Sequence, residues 1–402
     1  MSDHTPMDSP IDTPALADIA IIGAGIAGAS LAWALTHAPD QATPPRVLLL
    51  ERESQPGYHT TGRSAALYMA SYGTPAIRAL TRASRDFYDA PPPGFTDHPL
   101  LSPRGVLHVA TAAELPALDV LQAELQAIDP TVRRVGTAEL LATVPVLRPE
   151  AAVAGLVEDS AADIDVHALH QGYLRGARAA GATLLTHAEL TGLAHDGEAW
   201  TLTLADGRCL RARQLVNAAG AWADAVGVLA GAAPIGLEPR RRSAFTFEAP
   251  AGTDASRWPA VAAVVADHGP DGEAWYIKPD AGLILGSPAN ADLVTPHDVV
   301  PEELDIALGI HRIEQATTLS IRRPRSTWAG LRSFVPDGDL VVGPDGAVPG
   351  FFWLAAQGGY GIQSAPGVAA LAASLLLGRP LPAELVREGV DPAASSPARL
   401  RR

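Results

Sequence analysis

Short continuous apolar runs open and close this chain, and alternating runs fill much of its middle. Four or five leucine or β-branched positions bounded by turn residues mark a parallel strand covered on both faces. Asp18–Ile22 (DIAII), Arg46–Leu50 (RVLLL) and Phe351–Ala355 (FFWLA) have this pattern. Between the first two lie the glycine turn Gly23–Gly28, a predicted helix from Ile26 to His37 and a loop over 38–45. Helices are also expected over 76–90, 112–127 and 165–180, and a long apolar one from about Gln363 to Leu377. Strands are expected at Thr183–Thr186, Trp200–Leu204, Cys209–Leu210, Leu215–Gly220, Ala244–Phe247 and Ala274–Ile277. Strand-turn-helix units at the start, middle and end predict an α/β fold. A Rossmann-like nucleotide domain would be built from three segments, with an inserted α+β domain containing a mixed sheet. The expected boundaries are a disordered tail over 1–17, a nucleotide domain over 18–84, 151–232 and 326–395, and a substrate domain over 85–150 and 233–325.

Composition narrows the chemistry. The 402 residues carry a net charge of −14, which repels nucleic acid and anionic bilayers. Lys278 is the only lysine, so arginine must supply anion recognition. Cys209 is the only cysteine, which excludes an intramolecular disulfide or a cysteine-rich metal centre; it reads as a small, partly buried side chain. No metal-ligand spacing occurs among the histidines, so no metal is expected. His59 reads as a loop or flavin-contact residue rather than a base. No secretory signal or transmembrane run is visible, so the cytoplasm is the expected location.

Gly23-Ala-Gly25-Ile-Ala27-Gly28 has the spacing of a dinucleotide-binding turn. Its first glycine permits the tight turn, its second the approach of a pyrophosphate, and its third close helix–strand packing. Glu51 ends the next strand, where a carboxylate can accept both ribose hydroxyls. The loop His59-Thr60-Thr61-Gly62-Arg63-Ser64 suits phosphate or flavin contacts. The turn after Leu215, ending at Gly220, suits close approach of a nucleotide. Gln357–Gln363 (QGGYGIQ) precedes the last helix and offers N–H groups to an anion, such as the C2 carbonyl of a reduced flavin. The run Arg240–Arg242, taken alone, reads as a solvated basic turn.

These motifs, with Gly57–Ala66, Asp163–Arg178, Arg241–Phe245, Tyr276–Asp280 and Trp328–Phe334, resemble the D-amino-acid oxidase superfamily. Within it the sequence is most similar to bacterial FAD-dependent D-arginine dehydrogenases. The resemblance implies noncovalent FAD contacted by Ala27, Glu51, Arg52, Thr60, Thr61, Gly62, Arg63, Ser64, Ala65, Ala66, Leu67, Leu190, Gly358, Gly359, Tyr360, Gly361, Ile362 and Gln363. It implies that Arg242 and Arg332 hold a substrate carboxylate, that Tyr72 and Tyr276 close the pocket, and that backbone at Gly330 and Gly359 meets the amine. The implied reaction is oxidative deamination of a D-amino acid to a 2-oxo acid and ammonia, with oxygen or a quinone as final acceptor.

The chain departs from that pattern in the side-chain pocket. Leu67 stands where those dehydrogenases carry a histidine, Met69 where they carry a threonine, and Val106 where they carry the acid that meets a cationic side chain. Ala260 and Ala262 stand where their pocket walls are larger. An unpaired buried charge costs several kcal/mol, so these walls are expected to favour apolar over cationic D-amino acids. Two alternatives stay open: oxidation of glycine, an N-methyl amino acid or a 2-hydroxy acid by the same scaffold, and an FAD-binding subunit inactive without its partner.

Overall fold

The computed structural model describes residues 16–38, 43–265 and 274–401. All but the last two residues of the expected tail lie outside them. Ala17–Ile22 lies at the centre of an eight-stranded sheet. Its parallel neighbours are Val47–Leu50 and Cys209–Asn217, and Phe351–Ala355 extends the sheet parallel to the latter. Three distant segments thus meet in one nucleotide-type sheet, as the apolar runs predict. The central strands are buried on both faces, and Ile21, Val216 and Trp353 are wholly inaccessible. Each such side chain contributes about 1.5–3 kcal/mol.

Cys209–Leu210 and Leu215–Asn217 are not separate strands. They are the two ends of one nine-residue strand, Cys209–Asn217. Its first half pairs with Trp200–Leu204 and its second half with Phe351–Ala355, so polar Arg211, Arg213 and Gln214 lie inside one strand. Cys209 itself is exposed, contrary to the expected partial burial, because it sits at the strand's outer end.

Among the described residues the second sheet has nine strands. Glu238–Phe247, Leu283–Ser287, Tyr276–Asp280, Ala260–Ala263, Val106–Ala110 and Ala154–Glu158 follow one another across it, and Ser326–Phe334 pairs along Glu238–Phe247. Alternation splits its two faces. Leu107, Val109, Val157, Val261, Ile277, Phe245 and Phe247 belong to one apolar core. The residues between them, among them Val106, His108, Glu158, Ala260, Ala262, Tyr276, Lys278 and Arg242, project from the opposite face. That face carries the polar chemistry.

The basic run Arg240–Arg242 is strand, not turn. Arg241 points to Asp305, 3.1 Å away, on the helix Glu303–Ala316. Arg240 and Arg242 point the other way, where Arg242 lines a cavity and Arg240 lies over the Phe334 ring.

Candidate active site

A long cavity runs from the glycine turn to the strand pair that carries Arg242 and Arg332. Its dinucleotide end is shaped by close backbone packing. Gly23 has φ +98°, and a Cβ there would lie 2.4 Å from the Ala218 carbonyl oxygen. A Cβ on Gly28 would lie 1.9 Å from the Gly23 carbonyl oxygen. Gly25 differs: its Cβ would meet only the Thr61 hydroxyl, at 3.2 Å, so its bare backbone faces the cavity. The helix Ile26–Thr36 begins there, and Ile26 N–H donates to Thr61 Oγ1 at 2.9 Å. Glu51 accepts from Ala24 N–H at 3.1 Å and Glu53 N–H at 3.0 Å, one bond to each carboxylate oxygen. A carboxylate has about four acceptor positions, so these bonds aim Glu51 and leave lone pairs for ribose hydroxyls.

Arg52, Thr60, Thr61, Arg63, Ser64, Ala65, Leu190, Gly220, Gly358, Gly359, Gly361 and Ile362 line the same cavity with Gly23, Gly25, Ala27 and Glu51. Several expected flavin contacts hold the structure around it. The Arg63 guanidinium is engaged by Asp298 and by the carbonyls of Val299 and Ala329, at 2.9 and 3.1 Å. Gly28 and Gly62 pack against the backbone of Gly23 and Gly57. Ala66 and Tyr360 pack on the apolar core next to the cavity. Gln363 donates to Thr81 Oγ1 at 3.0 Å and to the Tyr72 carbonyl at 3.3 Å, and accepts from Met69 N–H at 3.3 Å. Trp222, absent from the expected contacts, also lines the cavity and carries the Arg52 guanidinium over its ring at 4.4 Å. His59 lies 2.9 Å from Glu53, whose carboxyl is held low by His59 and Arg52 against the effect of burial.

At the other end, Arg242 lies opposite Gly330 in the strand pair and Arg332 opposite Arg240, so the two arginines are diagonal neighbours on one face. Arg242 Nε donates to the Asn290 carbonyl, and Arg332 Nη1 donates to Tyr72 Oη at 3.4 Å. Among the described residues neither guanidinium has a carboxylate partner. Gly359 lies against Arg332: a Cβ there would sit 3.0 Å from the guanidinium carbon. Tyr276 and Gly330 line this end, and Tyr72 stacks edgewise on Tyr360 with centroids 4.9 Å apart. Leu67, Met69, Val106 and Ala260 form one small apolar cluster with Ala161. Ala262 is opposite Tyr276 on the neighbouring strand. Lys278 is buried with its Nζ 2.8 Å from Asp163.

The paired cations set the electrostatics. Burial, and then the like charge of Arg332, bring Arg242 down to about 10. Burial opposes ionisation of Tyr72, but Arg332 and Arg242 overcome it and lower the phenol. The form of Arg242 that binds an anion exists below its lowered value and is lost above it. A carboxylate ligand without an amine is therefore expected to bind with constant affinity from about pH 7 to 9, then to lose about tenfold per unit above pH 10. Perturbation of flavin absorbance measures this. The same break in Tyr72→Phe assigns it to Arg242, and constant affinity to about pH 11 excludes Arg242.

The glycine cradle, the aimed carboxylate and the helix start fit the adenosine diphosphate half of FAD. Residues 18–375 match the family of FAD dependent oxidoreductases, DAO. The fold is similar to that of glycine oxidase from Geobacillus kaustophilus, at 21% identity over 94% of this chain and 98% of that one, with a TM-score of 0.78. It is equally similar to L-proline dehydrogenase from P. horikoshii, at 18% identity over 97% and 99%, with a TM-score of 0.78. L-alpha-glycerophosphate oxidase from Mycoplasma pneumoniae, solved with FAD bound, has 19% identity over 90% and 95%, with a TM-score of 0.77. The match across nearly the whole described chain places the protein in the DAO family of FAD-dependent oxidoreductases, with FAD as its cofactor.

Proposed function

We propose that the protein oxidises D-amino acids to 2-oxo acids and ammonia, and that it favours apolar side chains. The observation that carries this reading is the pair Arg242 and Arg332, two guanidinium groups at the end of a dinucleotide cavity that have no carboxylate partner among the described residues. Such a pair is costly until an anion joins it, and its fork geometry matches a carboxylate. A substrate carboxylate docks between them, with the hydroxyls of Tyr72 and Tyr276 closing over it. Backbone groups at Gly330 and Gly359 orient the amine, which passes its proton to water. Noncovalently bound FAD supplies the acceptor for the Cα hydride and its electron pair. The imino acid leaves and hydrolyses in solution. Preference for the D-isomer rests on the sequence resemblance.

The apolar preference rests on the walls. Leu67, Met69, Val106 and Ala260 do not line the long cavity itself; they form an apolar cluster without charge, which we take as the side-chain wall. The acid opposite Val106, Glu158, has no exposed side-chain surface, and both of its oxygens accept from Ser71. It stands beside Val106 on the same sheet face, engaged by Ser71 and outside the cavity lining. Burial then rewards the substrate by about 0.8 kcal/mol per CH₂.

Anaerobic mixing of the holoprotein with a panel tests the reading. D-Leu, D-Met and D-Phe should bleach the flavin, with kcat/KM above that for D-Arg. L-Leu, glycine, sarcosine and lactate should leave it yellow. Bleaching by an L-amino acid or a 2-hydroxy acid in preference to every D-isomer overturns the reading.

A further inference from the structure

Glu158 is a buried acid that the reaction leaves without a task. It is 1% exposed, and His108 Nε2 lies 3.8 Å from its carboxylate. Its bonds come from one hydroxyl: Ser71 Oγ lies 2.7 Å from one carboxylate oxygen and 2.8 Å from the other. Ser71 is also buried, at 3%. Burying a carboxylate on a single neutral donor is expensive, so the contact has to be explained by what it holds.

It holds a turn. Met69 to Tyr72 is closed by Tyr72 N–H donating to the Met69 carbonyl at 3.2 Å. Gly73 follows with φ +103°, which turns the chain sharply into the helix Pro75–Ala83. Tyr72 projects from this turn, with its hydroxyl at Arg332 and its ring edge against Tyr360. The turn is gripped from two sides, at its backbone and at the Ser71 hydroxyl. Gln363, from the loop on the flavin side, bonds the amide of Met69 and the carbonyl of Tyr72. Glu158, from the second sheet, bonds Ser71 between them. A turn held at one side only would sample more positions, at an entropic cost that substrate binding would have to meet.

We propose that Glu158 and Ser71 are positioning residues: their buried hydrogen bond seats the 69–72 turn so that Tyr72 closes on the substrate carboxylate beside Arg332. The inference rests on the reading of Arg242 and Arg332 as the carboxylate site. It assigns Glu158 no contact with substrate. It also gives a task to an acid that stands directly opposite Val106 in the sheet.

The test uses the full-length holoprotein, with KM, kcat and the Kd of an amine-free carboxylate read together. Ser71→Ala should raise KM and that Kd about tenfold, within the range of up to ~100-fold that an ångström of misplacement costs, with kcat within about twofold. Ser71→Thr keeps the hydroxyl and should restore most of the loss. Ser71→Ala strands a buried carboxylate, so the double variant Ser71→Ala with Glu158→Leu removes both polar groups and should fold with the same rise in KM. A Tyr72→Ala background separates positioning from general loosening, because there Ser71→Ala should add nothing further. Unchanged KM in both Ser71→Ala variants, or a full additional loss in the Tyr72→Ala background, overturns the inference. Failure of the wild-type protein to bind the carboxylate or oxidise any amino acid instead overturns the site reading, and the inference with it.

Discussion

Replacing Arg332 by alanine is expected to weaken substrate binding by about 2–5 kcal/mol, roughly 30- to 4,000-fold in KM, while FAD stays bound. The size follows from the setting. Arg332 has no carboxylate partner among the described residues, and on the proposed reading the bond it loses is a charge-assisted one to the substrate carboxylate. Part of the loss is the substrate carboxylate left desolvated beside Arg242 alone. A secondary effect identifies the cause. The like charge of Arg332 contributes to the depression of Arg242 to about 10. Its removal should therefore shift the alkaline break in carboxylate affinity upward even as affinity falls. Arg332→Lys restores charge without the fork and should recover only part of the binding. Titration of flavin absorbance with a carboxylate across pH gives both quantities. Wild-type affinity in Arg332→Ala removes this residue from the site.

Legibility in the sequence followed the range of the interaction. The strand, the glycine turn Gly23–Gly28 and the helix that follows were readable because they are set by local sequence. Phe351–Ala355 was readable because burial on both faces leaves a continuous apolar run. The run Arg240–Arg242 was misread because charge count suggests solvent, whereas a strand sends neighbouring side chains to opposite faces. Cys209–Asn217 was divided in two because it changes partners midway, and its polar middle obeys neither pattern alone. Trp222 carries no signal in the sequence, since only the folded chain brings Arg52 over its ring. Ser71 and Glu158 are 87 positions apart, and Arg63 and Asp298 are 235 apart. No periodicity records such pairs. Arg242 and Arg332, proposed to hold a carboxylate, came from the family resemblance; the geometry adds that neither has a carboxylate partner among the described residues.

The glycines of the dinucleotide turn should fail in two different ways when each is changed to alanine. In Gly28→Ala the new methyl would lie 1.9 Å from the Gly23 carbonyl oxygen and 3.2 Å from Ile21 Cγ2. The first obstacle is backbone inside the central βα unit, which no rotamer change can clear. The helix Ile26–Thr36 must move off the strand it covers, opening a core in which Leu31, Ala32 and Leu35 are wholly buried. Overpacking of this kind costs about 3 kcal/mol, and here it should lower the melting temperature of the apoprotein and abolish flavin retention together. Gly25→Ala meets only the Thr61 hydroxyl, at 3.2 Å, and carries no positive φ. Its apoprotein should melt as the wild type does. The added methyl instead takes space the pyrophosphate needs, so FAD affinity should fall by at least about tenfold, 1.4 kcal/mol. Calorimetry of the two apoproteins and fluorescence titration with FAD separate the cases. If Gly25→Ala lost stability and kept its affinity, the cavity beside that glycine would not be where the phosphates lie.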